Sequence, residues 1–175
     1  METPRRTHTH FSLSGPFGKG RLLPSLDGTD IRILNILQEN ADLHVNYIAN
    51  QVYKSTSSTH ERIRKMREHG VIQKYIAILD RRLVGRPTLV VTMVRLKQHA
   101  TFILEGFAAE VNSWPEVQYC LHLSGEFDFV LHVSLRDTQE YGEFLNEKLC
   151  GLEAVERVQS SVVLKECKSM AALPL

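Results

Sequence analysis

Residues 55–72 read STSSTHERIRKMREHGVI, and this stretch decides the fold of the first half of the chain. It begins with hydroxyl residues suited to capping a helix, becomes strongly basic, and stops at Gly70, which lets a chain turn after a helix. Residues 54–74 hold six Lys or Arg and two acids, a local charge of +4 in a chain whose net charge is +1. The pattern predicts a basic helix over Ser55–His69.

Two shorter helical patterns precede the basic helix. In the first, Asp27 and Asp30 favour a helix start, and an apolar stripe at helical spacing follows them. The second covers Leu43–Val52. Three helices with a short link between the last two indicate a helix-turn-helix. The next run, Val71–Leu79, is rich in β-prone residues, and we expect it to form a wing strand.

The second half of the chain alternates strand and helix patterns in the order βαββαβ, which is the ferredoxin-like arrangement. The chain is therefore expected to be an α+β protein, a winged helix-turn-helix followed by a ferredoxin-like domain. The predicted elements are the strand Thr88–Leu96, the helix Phe102–Asn112, the strands Val117–Ser124 and Phe127–Leu135, a helix from Asp137 to Leu149, and the strand Val155–Leu164.

Composition divides the 175 residues into four segments. We expect a flexible tail over 1–25, a winged helix-turn-helix DNA-binding domain over 26–79, a linker over 80–87 and a ferredoxin-like domain over 88–170. The first 80 residues carry a charge of +3 and the remainder −2, so the first half is expected to meet a polyanion. Three cysteines without CxxC spacing indicate the reducing cytoplasm, and no apolar run suits a membrane span.

Three motifs within residues 26–170 stand in a characteristic order: Leu26-Asp27-x-x-Asp30-x-x-Ile33-Leu34-x-x-Leu37-Gln38, Ser55-x5-Glu61-Arg62-Ile63-x-x-Met66-x3-Gly70-Val71-Ile72, and Leu123-Ser124-Gly125-x-Phe127-Asp128-Phe129. In this order and spacing, residues 26–170 resemble the Lrp/AsnC family of feast/famine transcriptional regulators. The resemblance implies that residues 88–170 form a ligand-sensing and oligomerisation domain. Four places depart from the family pattern. His44 stands where the family often has a Ser or Thr that caps the second helix, and Asn46 stands where an apolar residue is common. Tyr53-Lys54-Ser55 stands where the family has Gly-Leu-Ser, so that Lys54 replaces a buried leucine, and Glu126 stands in the family's Gly-Asp-x-Asp turn.

The basic helix is the predicted contact with double-stranded DNA, because arginines bind phosphates and can pair with guanine, while small polar residues can reach base edges. An alternative for Arg62 is a structural role, packed on the first helix. Glu61 is expected to pair with Lys65 along the helix. The predicted DNA-binding residues are Ser57, Ser58, Thr59, His60, Arg62, Arg64 and Lys65.

The resemblance implies a small-molecule effector, an amino acid bound near the glycine turn and between subunits. A carboxylate there could hold an ammonium group, and the glycine would let a ligand approach the backbone. The alternative is a plain hairpin turn with solvated acids. The predicted effector-binding residues are His122, Ser124, Gly125, Glu126 and Asp128.

The run Phe127–Val133, FDFVLHV, is apolar at nearly every position, so both faces of its sheet are expected to be covered. A second copy of the chain would provide the cover as a homodimer, and the resemblance suggests a ring of four dimers. No catalytic residues, cofactor or metal site are predicted; His8 and His10 are interpreted as tail residues, and His122 and His132 as core or interface residues. Alternatives are an enzyme resembling sirohaem decarboxylases and an effector-independent oligomeric regulator.

Overall fold

The computed structural model describes residues 25–169 and 172–175. The predicted flexible tail, apart from Ser25, lies outside the described residues, as do His8 and His10. The described chain divides into two compact units, one containing residues 25–76 together with 172–175, the other Ala77–Ser169.

Three helices build the first unit: α1, Gly28–Glu39; α2, Val45–Gln51; and α3, Thr56–Glu68. The Asp27 carboxylate accepts the N–H of Asp30, and the Asp30 carboxylate accepts the N–H of Asp27, a reciprocal cap that starts α1. Ser55 caps α3 by accepting the N–H of Ser58. The shared apolar core consists of Ile33, Leu34, Leu37, Ile48, Val52, Ile63 and Met66.

The turn between α2 and α3 holds Tyr53 in the left-handed region, with φ of 56°. A residue with a β-carbon is strained there, whereas glycine is not. This is a physical reason for the glycine that the Lrp/AsnC family has at this position. Tyr53 is 87% exposed, so packing does not offset that strain. The next residue, Lys54, donates its N–H to the Ala49 carbonyl and is exposed, so the turn does not bury its stem.

The expected wing strand over Val71–Leu79 is not formed in the described chain. A strand needs a neighbour whose N–H and C=O groups pair with its own, and this run has no such neighbour among the described residues. Its first apolar side chains, Val71 and Ile72, pack partly buried against the core of the unit. Tyr75, Ile76, Ile78 and Leu79 are exposed. High β-propensity alone therefore did not produce a strand here.

The second unit has the predicted βαββαβ order. Its elements are β1, Thr88–Leu96; α4, Thr101–Asn112; β2, Val117–His122; β3, Phe129–Leu135; α5, Thr138–Phe144, which continues into a π-helical turn over Leu145–Leu149; and β4, Val155–Val162. The strands form one sheet in the order β2-β3-β1-β4, with every neighbouring pair antiparallel.

The two faces of this sheet differ in cover. On one face, alternate residues of β3, including Leu131 and Val133, are fully buried in the core with Phe107 of α4. On the other face, Val130 is only partly buried and Leu121 of β2 is 50% exposed. The described chain thus covers one face of the sheet with its helices and leaves apolar side chains open on the other.

The end of the chain belongs to the first unit. The Gln38 side chain at the end of α1 accepts the N–H of Leu173 at 2.6 Å and donates to its carbonyl at 3.3 Å. One amide side chain thus pairs with both main-chain groups of a single residue. Among the described residues, no helix is both long and apolar enough to cross a lipid bilayer.

Candidate functional site

Helix α3 has a buried face and an outward ridge, set by the helical repeat. Thr59, Ile63 and Met66 face the core of the first unit. The opposite side carries residues spaced three and four apart, which places their side chains next to one another. These are Ser57, Glu61, Arg64, Lys65 and Glu68, all partly or fully exposed.

Thr59 is fully buried, with 0% of its surface exposed. The prediction that it contacts DNA is therefore wrong, because a base edge cannot reach a side chain inside the domain. Its hydroxyl oxygen has no hydrogen-bond partner among the described residues. The helix phase explains the error: Thr59 lies four residues before Ile63, on the same inward face.

Arg62 leaves α3 on the side that faces α1. Its Nη1 lies 2.8 Å from the Asp27 carboxylate and 2.7 Å from that of Asp30, which cap α1. These hydrogen bonds, first to Asp30 and then to Asp27, raise the pKa of Arg62. The N–H of Asp30 and then Arg62 lower the pKa of Asp27 from 3.8 to about 2. This geometry supports the structural alternative for Arg62, in which it joins the third helix to the first.

Arg64 is held between two carboxylates on its own helix. Its Nε and Nη2 donate to the two carboxylate oxygens of Glu61 at 2.8 and 2.7 Å, and its Nη1 donates to Glu68. The hydrogen bonds with Glu61 and the charges of Glu61 and Glu68 raise the pKa of Arg64 above its usual value, and Arg64 lowers that of Glu61. The expected pairing of Glu61 with Lys65 is the weaker one, at 3.8 Å.

These pairings change the electrostatic picture drawn from the sequence. Helix α3 carries four cations and two acids, and the two aspartates around the start of α1 bring the local balance to zero. Lys65 is the predicted DNA-binding cation with the weakest pairing, since its side chain is 61% exposed and Glu61 lies 3.8 Å away. Over the whole basic stretch, residues 54–74, the same two aspartates reduce the charge from +4 to +2.

The remaining predicted DNA-binding residues lie near the start of α3. Ser57 is exposed, with its hydroxyl 3.2 Å from that of Ser55, and Ser58 is partly buried. His60 is exposed on the flank, where it lines a cleft of about 400 Å³ together with Arg67 and Tyr75. Arg67, a cation of α3 that is not among the predicted residues, lies over the Tyr75 ring at 5.3 Å from its centroid.

The predicted effector turn lies between β2 and β3, and its aspartate is not free. Asp128 is buried; its Oδ2 accepts the N–H of Leu96 at 2.7 Å, and its Oδ1 lies 3.0 Å from the His99 imidazole. Its main-chain N–H donates to the Val94 carbonyl at 2.9 Å. Asp128 therefore fastens the turn to the end of β1, a use of its carboxylate that competes with holding a ligand's ammonium group.

The rest of the turn is open to solvent. Ser124 and Gly125 are exposed, and nothing lies within 4 Å of a β-carbon placed on Gly125. The main-chain N–H groups of residues 124–126 make no main-chain hydrogen bond within the described chain. Glu126 is 65% exposed, with Arg157 of β4 at 3.3 Å. His122, at the end of β2, is exposed, and its ring stacks near Phe129 at 4.9 Å between centroids.

No group of three or more metal-ligating side chains comes together among residues 25–169 and 172–175. The three cysteines are free thiols: Cys120 is partly buried, and Cys150 and Cys167 are exposed. Burial raises the pKa of Cys120.

Two family profiles match the chain, one in each half of the sequence. A winged helix-turn-helix DNA-binding domain matches residues 26–73, and the Lrp/AsnC ligand binding domain matches residues 89–173. The first match contains the three helices, and the second contains the sheet and its helices.

Proteins similar over most of this chain are regulators of transcription. A leucine-responsive regulatory protein of Haemophilus influenzae is 32% identical over 86% of this chain and 91% of its own length. A proline dehydrogenase transcriptional activator of Rhodobacter capsulatus is 36% identical over 80% of this chain and 91% of its own length.

Solved structures of transcriptional regulators also align with most of this chain. A transcriptional regulator of Neisseria meningitidis, in complex with L-methionine, aligns with a TM-score of 0.80 at 35% identity, over 86% of this chain and 97% of that one. An AsnC-family regulator of Agrobacterium tumefaciens aligns with a TM-score of 0.79 at 33% identity, over 85% of this chain and 97% of that one. The chain described here belongs to the Lrp/AsnC family of DNA-binding transcriptional regulators.

Proposed function

We propose that this regulator contacts DNA through the outward ridge of α3 and that a free amino acid bound at the β2–β3 turn modulates the contact. The observation that carries the proposal is the ridge itself. It places Ser57, Arg64 and Lys65 together on the side of α3 that faces away from the core of the unit. A helix with this arrangement suits the major groove, where polar side chains meet base edges and phosphates.

The test of the DNA contact is the salt dependence of binding. We expect the full chain to bind duplexes from its own upstream region, measured by fluorescence anisotropy across a salt series. Lys65→Ala should lower the slope of log K against log salt by about 0.9 for each phosphate that the lysine neutralises. Lys165→Ala, which removes an exposed cation from the other unit, is the matched control and should leave the slope unchanged. An unchanged slope for Lys65→Ala would remove this residue from the interface.

The effector proposal rests on the open N–H groups at residues 124–126 and on the exposed carboxylate of Glu126. A zwitterion there would direct its carboxylate to the N–H groups and its ammonium to Glu126, since Asp128 is engaged with Leu96. The similar Neisseria meningitidis regulator was solved with L-methionine, which makes an amino acid the first ligand to try. An amino acid can change DNA affinity only through a preference for one state of the protein.

Calorimetry against the twenty amino acids tests the effector proposal. We expect at least one to bind, and Glu126→Gln to weaken that binding because it removes the charge but keeps the side-chain length. Glu153→Gln, at another exposed acid of the same unit, is the control. If none of the amino acids gives heat or changes DNA affinity, the regulator is independent of an amino-acid effector.

We also propose that the open face of the sheet pairs with the same face of a second copy. Val91, Met93 and Val130 are only partly buried there, and Leu121 is 50% exposed. An apolar sheet face of this kind marks an interaction surface, and a two-fold arrangement buries it in both copies. Leu121→Lys should shift the sedimentation coefficient towards that of a monomer; wild-type protein that sediments as a monomer at micromolar concentration would contradict the proposal.

We place the protein in the cytoplasm, where its DNA partner and a reducing environment for its three free thiols coincide. The proposal includes no catalytic step.

A further inference from the structure

Arg64 and Lys65 are neighbours on the ridge of α3, yet they carry different amounts of free charge. Two carboxylates hold the Arg64 guanidinium, so the trio of Glu61, Arg64 and Glu68 has a net charge of −1. A phosphate approaching Arg64 would meet both carboxylates at close range, which opposes binding. Lys65, with one acid at 3.8 Å, has no such barrier.

Arg64 keeps two N–H groups that take no part in its hydrogen bonds with Glu61 and Glu68, and we call this pair of donors the fork. A guanidinium has five N–H groups, and three of the Arg64 nitrogens donate once each to Glu61 and Glu68. One N–H therefore remains on Nη1 and one on Nη2. Glu61 accepts Nε–H and the Nη2 hydrogen beside it, and Glu68 lies on the other side of Arg64 along the helix, so we take Glu68 to accept the outer Nη1 hydrogen. The two remaining hydrogens, one on Nη1 and one on Nη2, then lie together on the end of the guanidinium.

Two donors on the end of a guanidinium match the two acceptors that guanine presents in the major groove, O6 and N7. Guanine's edge is neutral, so the negative trio does not repel it as it would a phosphate. The carboxylates also fix the plane of the guanidinium in advance, which lowers the ordering cost of binding. The same features that make Arg64 a poor phosphate ligand therefore suit it to read a base.

We infer that Arg64 reads one guanine of the target site through its Nη1 and Nη2 hydrogens, and that Glu61 is the positioning residue that holds the fork. The inference rests on the proposed DNA contact of α3. In that contact Arg64 discriminates between bases, whereas Lys65 binds phosphate. The geometry is local to one helix, since Glu61 and Glu68 lie three residues before and four residues after Arg64.

The experiment is selection of binding sites from a randomised duplex library by the full chain, followed by affinity measurements on the selected site. We expect an invariant guanine in that site. Replacing it with 7-deazaguanine, which lacks the N7 acceptor, should weaken wild-type binding within the range of about 5- to 150-fold that one bidentate base contact provides. The Arg64→Lys variant keeps the positive charge but not the fork, so it should bind guanine and 7-deazaguanine sites alike.

The Glu61→Gln variant distinguishes two roles for Glu61, positioning of the Arg64 guanidinium and repulsion of DNA phosphates. If Glu61 holds the fork, Glu61→Gln should reduce the discrimination between guanine and 7-deazaguanine. If it only repels phosphates, affinity for all sequences should rise equally and the ratio should stay unchanged, which would overturn its positioning role. Lys65→Ala, the control, should lower affinity for both sites and leave the ratio intact.

Two results overturn the assignment of Arg64, and they differ in what else they overturn. If the wild type binds a specific site and the Arg64→Lys variant discriminates between the two sites equally well, Arg64 does not contact the guanine. The proposed function would still hold. Absence of any selected site for the wild type removes both. Thermal unfolding of each variant is measured alongside, so that a loss of discrimination is compared only between folded proteins.

Discussion

Replacing Thr59 with valine should make the first unit more stable. Thr59 is 0% exposed, and its hydroxyl oxygen has no hydrogen-bond partner among the described residues. A buried hydroxyl without a partner costs about 1–3 kcal/mol in proteins. Valine has nearly the same shape and a helix propensity similar to that of threonine, so the substitution removes the polar atom without opening a cavity.

We take the lower end of that range, a gain of about 1 kcal/mol, because helical threonines often direct the hydroxyl to the preceding turn. For a domain of 60–100 residues, this corresponds to a rise in Tm of about 4–8 °C. The assay is thermal unfolding followed by the helical circular dichroism signal. Trp114, the chain's single tryptophan, lies in the other unit, so its fluorescence transition should not move and serves as an internal reference.

The matched control is Thr59→Ser, which keeps the hydroxyl and deletes the methyl group, and should lower stability by about 1 kcal/mol. DNA affinity should be unchanged in Thr59→Val, because the side chain faces the core. The reasoning is refuted if the valine variant is no more stable than the wild type, since the hydroxyl would then have a partner that compensates its burial.

Three further outcomes are expected. Tyr53→Gly should stabilise the first unit by about 0.5–1 kcal/mol in urea unfolding, because glycine adopts φ of 56° without strain, whereas Tyr53→Ala should not. Asp128→Ala should destabilise the second unit by about 2–3 kcal/mol in thermal unfolding, since it leaves a buried main-chain N–H unpaired. The pKa of Asp27 is lowered from 3.8 to about 2 by the Asp30 N–H and Arg62, so its contribution to stability is present above pH 3.8 and lost as the pH falls towards 2. Asp27→Asn should flatten that part of the stability curve measured by acid titration.

Local chemistry made the helices and the strand order predictable. Ser55 and Gly70 bracket α3 as capping rules require, and the structure gives Thr56–Glu68 between the caps Ser55 and His69. The alternation of patterns in the second half predicted the order βαββαβ, which the structure confirms. These features depend on neighbours in sequence, which is why sequence reasoning reached them.

The site residues depended on partners distant in sequence or on helix phase. Nothing in the local pattern places Asp128 against the N–H of Leu96, 32 residues earlier, or Arg62 against Asp27, 35 residues earlier. The pairing of Arg64 with Glu61 and Glu68 follows i,i+3 and i,i+4 spacing and was available from the sequence, but counting net charge obscured it. A helical projection would also have placed Thr59 on the inward face.

The two hydrogen bonds between the Gln38 side chain and the main chain of Leu173 have a consequence for the order in which the protein folds. The two residues are 135 positions apart, and the whole second unit lies between them in the sequence. Contacts across so long a separation are entropically costly while the intervening chain is unfolded, so we expect this one to form late in folding, after the sheet. The amide hydrogen of Leu173 should thus gain protection late during refolding, and it offers a kinetic marker for completion of the native topology.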